Sequence, residues 1–252
     1  MARMKSAHLP VLDARYWAAI LAASLAGTTL GDFVSTALDL GFIRGLIPLA
    51  IVLTAIFYFE RRSTRKSEAY YWAAIVVTRT MATNVADLFT HALKLDYQLV
   101  ATVWTVVLVV TLLPGKRRIT SPSKAPGSVL TAAGARYWIA ILFASVLGTT
   151  LGDFVSDGLG LGVLRGGIAL TIVLCAVLAV QFRFTGSAPG LYWAAIVAVR
   201  TAGTDWGDFL SGADGLNLGY GLSAAASALL LVCILRYWPA SQTVPPRGAR
   251  FA

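Results

Sequence analysis

The sequence predicts an all-α integral membrane fold. Eight transmembrane helices are set out as four parallel tandem helical hairpins, pseudo-two-fold and near four-fold about the membrane normal. Two observations carry that prediction. The chain is 57% hydrophobic and only 13% charged, with a mean hydropathy of +0.71, and long apolar stretches recur along it. Such stretches suit a hydrocarbon layer about 30 Å thick. The second observation is an internal repeat. Trp17, Trp72, Trp138 and Trp193 each stand 15 residues before an aspartate: Asp32, Asp87, Asp153 and Asp208. Trp17 to Trp72 and Trp138 to Trp193 are both steps of 55, while Trp17 to Trp138 and Trp72 to Trp193 are both steps of 121. The chain is a duplicated pair of repeats.

In order, residues 1–14 form a basic, polar tail, and the first half, 15–114, holds repeats 15–64 and 69–114. A linker rich in Pro, Ser and basic residues, 115–134, leads to the second half, 135–238, with repeats 135–184 and 190–238; residues 239–252 form another tail. The spans are expected at 16–38, 42–59, 70–93, 97–114, 137–159, 163–182, 191–212 and 218–237. The first is too long for a signal-peptide core and carries the repeat motif itself, so it is expected to be retained. Each repeat has an odd-numbered helix with a polar stripe, a short turn (38–42, 93–97, 159–163, 216–220) and a plainer apolar helix. Turns this short predict that the two helices of a repeat pack as antiparallel neighbours. The plainer helices are expected outside, against lipid. Cys175 and Cys233 lie at non-equivalent repeat positions and read as buried packing residues.

Orientation follows from the basic residues. Arg3, Lys5 and Arg15 precede the first helix, and Arg61, Arg62, Arg65 and Lys66 follow the second. Lys116, Arg117, Arg118, Lys124 and Arg136 surround the linker, Arg183 follows the sixth helix, and Arg236, Arg247 and Arg250 close the chain. The turns inside repeats hold only Arg44, Lys94 and Arg165. The positive-inside rule then puts both termini in the cytoplasm, and all four repeats run the same way. The net charge of +9 follows from this topology and gives no reason to invoke nucleic acid. The pairs Tyr16-Trp17, Tyr71-Trp72, Tyr137-Trp138 and Tyr192-Trp193 suit the inner interface as an aromatic belt.

The polar stripe carries the chemistry. With each Trp as zero, positions +7, +11, +15 and +18 share one helix face. They are Ser24, Thr28, Asp32 and Ser35; Arg79, Thr83, Asp87 and Thr90; Ser145, Thr149, Asp153 and Ser156; Arg200, Thr204, Asp208 and Ser211. Beside them lie small residues four apart: Gly27 and Gly31, Ala82 and Ala86, Gly148 and Gly152, Gly203 and Gly207. Such pairs let helices approach closely within a membrane, so the stripes are expected to face one another. A carboxylate at a helix centre costs about 2.5–3.5 kcal/mol of insertion free energy. Four of them point to a cation, a proton or water between the helices. Interhelical hydrogen bonding accounts for Thr and Ser, yet Asn would serve that purpose without a charge. Arg79 and Arg200 are expected to pair with aspartates of neighbouring helices, including Asp205, which stands where the other copies have Thr29, Asn84 and Thr150. The sharper alternative is an anion held by both arginines. Oxygen ligands suit hard cations, and the stripe has no Cys, His or Met. His8 and His91 look solitary and solvated.

Four tandem two-helix repeats, each with a tryptophan and a GTTLGDF-like motif, resemble a bacterial membrane-protein family catalogued only as a repeat of unknown function. The resemblance covers about 15–238. It implies an eight-helix, multi-pass protein of the bacterial inner membrane and carries over no activity. Gly31-Asp32-Phe33-Val34-Ser35 is also similar to the Gly-Asp segment of cation/proton exchangers, with Thr28, Thr29 and Leu30 where those have an acidic residue.

The expected function is transport or channelling of a small cation through the ring of aspartates, which can also carry protons. Asp32, Asp87, Asp153, Asp208 and Asp205, with Thr28, Thr83, Thr149, Thr204, Arg79 and Arg200, form the candidate ion site. The four equivalent aspartates are the metal ligands if a metal binds. A membrane sensor or assembly factor is the alternative, and a small-anion transporter using Arg79 and Arg200 is another. An enzyme is not expected. Leu30-Gly31-Asp32 is like the Gly-x-Gly-Asp of intramembrane aspartyl proteases, but the leading Gly is Thr, and a catalytic pair needs two carboxylates, not a fourfold set. No Ser/His/Asp set, phosphate loop or His/Cys cluster appears, and no cofactor is expected. The partners are the bilayer and a small cation or proton.

Overall fold

The computed structural model describes residues 10–63, 67–113, 134–183 and 189–239, so the two tails and the linker 115–134 lie almost wholly outside the described residues. Eight α-helices fill the rest: α1 Ala14–Asp32, α2 Gly41–Arg62, α3 Ala69–Asp87, α4 Tyr97–Leu112, α5 Ala135–Asp153, α6 Gly162–Arg183, α7 Pro189–Ser211 and α8 Tyr220–Tyr237. The aspartate of the motif ends α1, α3 and α5 alike. A π-helical turn follows each: Phe33–Ala37, Leu88–Ala92 and Phe154–Gly158. The fourth copy departs from this. Asp208 precedes the turn leucine, Leu216, by eight residues, where Asp32 precedes Leu38 by six. Here α7 stays α-helical to Ser211, and the chain exits through a longer turn in which the Leu216 N–H donates to Phe209 O at 2.7 Å.

The four turns share one device. Their second residue is left-handed: Asp39, Lys94 and Asn217 at φ 54°, 51° and 51°, and Gly160 at 68°. Asp and Asn tolerate that region through local hydrogen bonding and glycine enters it freely, whereas lysine has neither advantage. In the second copy Asp96 replaces the glycine found elsewhere at the fourth turn position. It caps α4 by accepting from the Gln98 and Leu99 N–H groups at 2.9 and 3.1 Å.

The odd helices close a ring, α1 against α3, α3 against α5, α5 against α7 and α7 against α1. Small residues make the approach possible. A Cβ added at Gly27 would overlap the Arg79 side chain, at Gly148 that of Arg200, and at Gly203 that of Ser24. One turn further on, a Cβ at Gly31 would come to 2.7 Å from Thr83, at Gly152 to 2.8 Å from Thr204 and at Gly207 to 3.0 Å from Thr28. Position +10 of one helix thus seats +7 of the next, and +14 seats +11.

The expectation of packed hairpins needs correction. Each return helix lies against the odd helix of the following repeat: α2 on α3, α4 on α5, α6 on α7 and α8 on α1. The two helices of one repeat barely touch. The glycines of the return helices show why. Gly45 of α2 admits Asn84 of α3, and Gly166 of α6 admits Asp205 of α7, so close contact is built for the next repeat rather than for the helix's own. The last return helix closes the circle on α1, which ties the two ends of the chain together.

The outer faces are apolar. Ile47 and Ile51 of α2, Val106 and Val110 of α4, Ile168 and Ile172 of α6, and Leu222 and Leu229 of α8 are exposed. Cys175 is exposed on α6 and Cys233 half-buried, both as free thiols, so Cys175 is not the buried packing residue expected. Among the described residues, five stretches are long and apolar enough to cross a membrane: Ala14–Ala37, Gly41–Arg62, Ala135–Gly158, Gly162–Arg183 and Tyr220–Tyr237. Helix α4 is apolar but only 16 residues long. The eight predicted spans therefore all exist as helices, and several have the length and hydropathy of a multi-pass membrane protein.

The turns provide a test of local strain. Lys94→Gly should stabilise the chain by about 1 kcal/mol, and Gly160→Ala should destabilise it by a similar amount. Thermal unfolding of the detergent-solubilised variants should give melting temperatures above and below wild type, respectively.

Candidate functional site

The ring interior is built in layers by the step of four residues along each odd helix. The first layer is aromatic. The hydroxyls of Tyr16, Tyr71, Tyr137 and Tyr192 form a closed circuit, at 3.1 Å (16–71), 2.7 Å (71–137), 3.1 Å (137–192) and 2.8 Å (192–16). In such a circuit each hydroxyl donates once and accepts once, so four buried phenols are satisfied without water. Each tryptophan sits edge-on to its own tyrosine and tilted on a neighbour's, as Trp72 does on Tyr16 with ring centroids 5.8 Å apart. Interactions of this kind add about 0.5–1.5 kcal/mol each beyond the area they bury. The aromatic-belt reading of these pairs is thereby corrected: all four tyrosines, with Trp17, Trp72 and Trp193, are core residues.

The same end is tied by arginines. Arg15 bonds the Glu68 carboxylate at 3.1 Å and the Leu235 carbonyl at 3.2 Å, joining α1 to α3 and α8. Arg136 donates to the carbonyls of Thr111, at 2.8 Å, and Leu113, where α4 ends. Beyond the aromatic layer come Ile20, Ile75, Ile141 and Ile196, all fully buried.

The next layers hold the two arginines and the threonines. Arg79 is fully buried. One of its terminal nitrogens donates to Ser145 O at 2.9 Å and to the Thr149 hydroxyl; the other donates to the hydroxyls of Thr28 at 2.9 Å and Thr204 at 2.6 Å and to Arg200 O at 3.3 Å. One guanidinium from α3 thus engages the equivalent threonine of every other repeat and lies across the middle of the ring. Arg200 is equally buried, but its three side-chain nitrogens have no hydrogen-bond partner among the described residues. The expected pairing of the arginines with aspartates is not found. Among the described residues no carboxylate lies within ion-pair distance of Arg79 or Arg200. The physical reason is vertical separation: Arg79 reaches one layer, and threonine hydroxyls occupy it.

The aspartates form the last layer. Asp87 and Asp153 are buried, and Asp32 and Asp208 are half-buried. Asp205 is not among them. It points away from the ring into the seam between α5, α6 and α7, against Gly152 and Gly166, and neither carboxylate oxygen has a hydrogen-bond partner among the described residues. Asn84 occupies the matching seam at Gly45.

One residue of this layer escaped the sequence reading. His91 is not solitary. Its Nδ1 lies 3.7 Å from Asp87 Oδ1, and ligand atoms of Asp87, His91 and Asp153 all fall within 4.8 Å of one another. The signal was present: Asp87 and His91 are four residues apart, on one helix face. The tyrosine ring was legible too, because steps of four from +15 through +11, +7 and +3 end at the residue before each Trp.

Four copies of one repeat description cover residues 15–66, 70–117, 136–187 and 191–243. The chain belongs to the Repeat of Unknown Function (DUF347) family. No curated protein and no solved structure matches it. The matched DUF347 segments coincide with the two-helix units α1–α2, α3–α4, α5–α6 and α7–α8, so every layer of the ring draws one residue from each family repeat. The repeat encodes position, and the differences between copies (Arg for Ser, His for Thr) encode chemistry.

The bonds of Arg79 can be tested by substitution. Arg79→Gln should lower stability by about 3 kcal/mol or more, since charge-assisted bonds to several buried groups are lost together. Because no carboxylate pairs with it, no Asp→Asn change in the ring should restore the loss. Tyr71→Phe, which breaks the hydroxyl circuit at one point, should cost about 1–2 kcal/mol. Denaturation of the purified variants measures both.

Proposed function

We propose that this protein moves a small cation across a bacterial inner membrane, using the layer of Asp32, Asp87, Asp153 and Asp208 as its binding site. In this reading the eight helices cross the bilayer with both termini cytoplasmic. The four odd helices run parallel about an axis near the membrane normal, and the aspartates lie toward the outer face. The observation that carries the proposal is the convergence of four equivalent carboxylates at one end of a ring whose middle is crossed by Arg79. A cation entering from the aspartate end meets carboxylate oxygens and then a positive guanidinium. The arrangement suits a gated or alternating carrier better than an open pore, because Arg79 and the tyrosine circuit both close the interior. The carboxylates can also bind protons, so an arriving cation would displace any proton held there. The apolar outer depression of α2, lined by Ile47, Ile51, Thr54, Tyr58 and Phe59, fits an acyl chain and supports the membrane setting. A second reading is favoured by one observation: the unpartnered guanidinium of Arg200 would be neutralised by a small anion reaching the interior.

Reconstitution into proteoliposomes tests the proposal with Mn²⁺, Mg²⁺, Ca²⁺, K⁺ and Na⁺. At least one should move in wild type, and Asp32→Asn or Asp153→Asn should reduce that flux by about tenfold or more while folding is kept. Arg79→Ala should raise passive leak. Flux undiminished in the Asn variants would make the aspartates structural. If no cation moves but chloride does, the anion reading takes over. If nothing moves, a sensor or assembly role does.

A further inference from the structure

Resting on the cation reading and deepening it, we propose that Asp87, His91 and Asp153 form a site for a divalent transition-metal ion. One donor atom from each residue lies within 4.8 Å of the other two. A metal with bonds of about 2.0–2.2 Å holds adjacent donors roughly 3 Å apart, so side-chain adjustments of about an ångström close the site. An independent observation points to the same place. Asp153 is 6% exposed, and its Oδ2 has no hydrogen-bond partner among the described residues. A buried carboxylate oxygen without a partner is costly, and a bound cation is one of the few groups that relieves it.

The donor set decides the class of ion. Two carboxylates and one imidazole suit Mn²⁺, Fe²⁺, Co²⁺ or Zn²⁺, whereas Ca²⁺ and Mg²⁺ favour all-oxygen shells. Na⁺ and K⁺ gain little from a nitrogen donor. The site is also single. The positions equivalent to His91 are Thr36, Asp157 and Gly212, so one corner of the four offers an imidazole. His91 is half-exposed, with 48% of its side chain accessible, and this gives an ion a route in. The Arg79 guanidinium, in the threonine layer, opposes deeper entry. Repeat symmetry thus makes the ring, and one asymmetric histidine makes it selective.

Binding is measured on the full chain in detergent, with the metal alone as probe. Co²⁺ should titrate to one per chain with a visible absorption band of a nitrogen-containing shell, and free Mn²⁺ should be depleted in electron paramagnetic resonance. His91→Ala should weaken Co²⁺ and Mn²⁺ binding by about tenfold or more and change the Co²⁺ band. Asp153→Asn should weaken it similarly, and Asp39→Asn, in a turn outside the site, should leave it unchanged. Mg²⁺ and Na⁺ at equal concentration should not compete. Unchanged Co²⁺ binding in His91→Ala, equal competition by Mg²⁺, or no transition-metal binding at all would each overturn the site. The two proposals fail separately. Histidine-dependent binding without flux removes transport and keeps the site, while aspartate-dependent flux without histidine-dependent binding removes the site and keeps transport.

Discussion

The close approach of the four odd helices governs everything inside this protein. Backbones that come this close must pack through small residues and polar side chains. Gly27, Gly31, Gly148, Gly152, Gly203 and Gly207 provide that contact, each seating a stripe residue of the next helix, and the buried Ala82 and Ala86 stand at the equivalent positions of α3. Each glycine contact runs in the same direction, from one repeat to the following one. A ring built from such one-way contacts closes only when the fourth helix meets the first, as α7 does with α1. The exchange of return helices reinforces this closure, since α8 also lies on α1.

Within the ring, symmetry and its breaking have different roles. Tyrosine, isoleucine, threonine and aspartate recur in all four copies and make layers that can be satisfied cyclically. The hydroxyl circuit is the clearest case: four phenols meet, and each completes its neighbour. Charge cannot be repeated in the same way. A layer of four arginines would place four cations around one axis, and the chain instead alternates Ser24, Arg79, Ser145 and Arg200. Of the two guanidinia, Arg79 takes the threonine layer and Arg200 is left without a hydrogen-bond partner among the described residues. Two identical side chains on diagonal helices thus have different fates because the layer has room for one.

The two ends of the ring differ in the same spirit. The tyrosine end is knit by aromatic packing, hydroxyl bonds and the Arg15–Glu68 pair. The aspartate end has two buried and two half-buried carboxylates, three π-helical turns and an accessible histidine within one of them. Extra residues in a helical turn of this kind often accompany functional positions. Three of the four motif aspartates stand directly before such a turn, which widens the helix where the proposed ion site lies.

Much of this was legible in the residues alone. The spacing of tryptophan and aspartate gave four copies, and hydropathy gave eight helices. Small residues four apart identified the seam, because close backbone approach has few other chemical solutions. The sequence also determined which residues share a face, since helix periodicity is local. It did not determine which helix meets which. Hairpin packing was the natural expectation from five-residue turns, yet α2, α4, α6 and α8 each lie on the next repeat. Short turns limit how far a return helix travels, and side-chain fit at Gly45 and Gly166 decides where it rests. Arg79 found hydroxyls rather than carboxylates, the tyrosines became an axis rather than a belt, and Asp205 turned into a seam. Those outcomes depend on distances between helices, and pattern along a single helix carries no information about them.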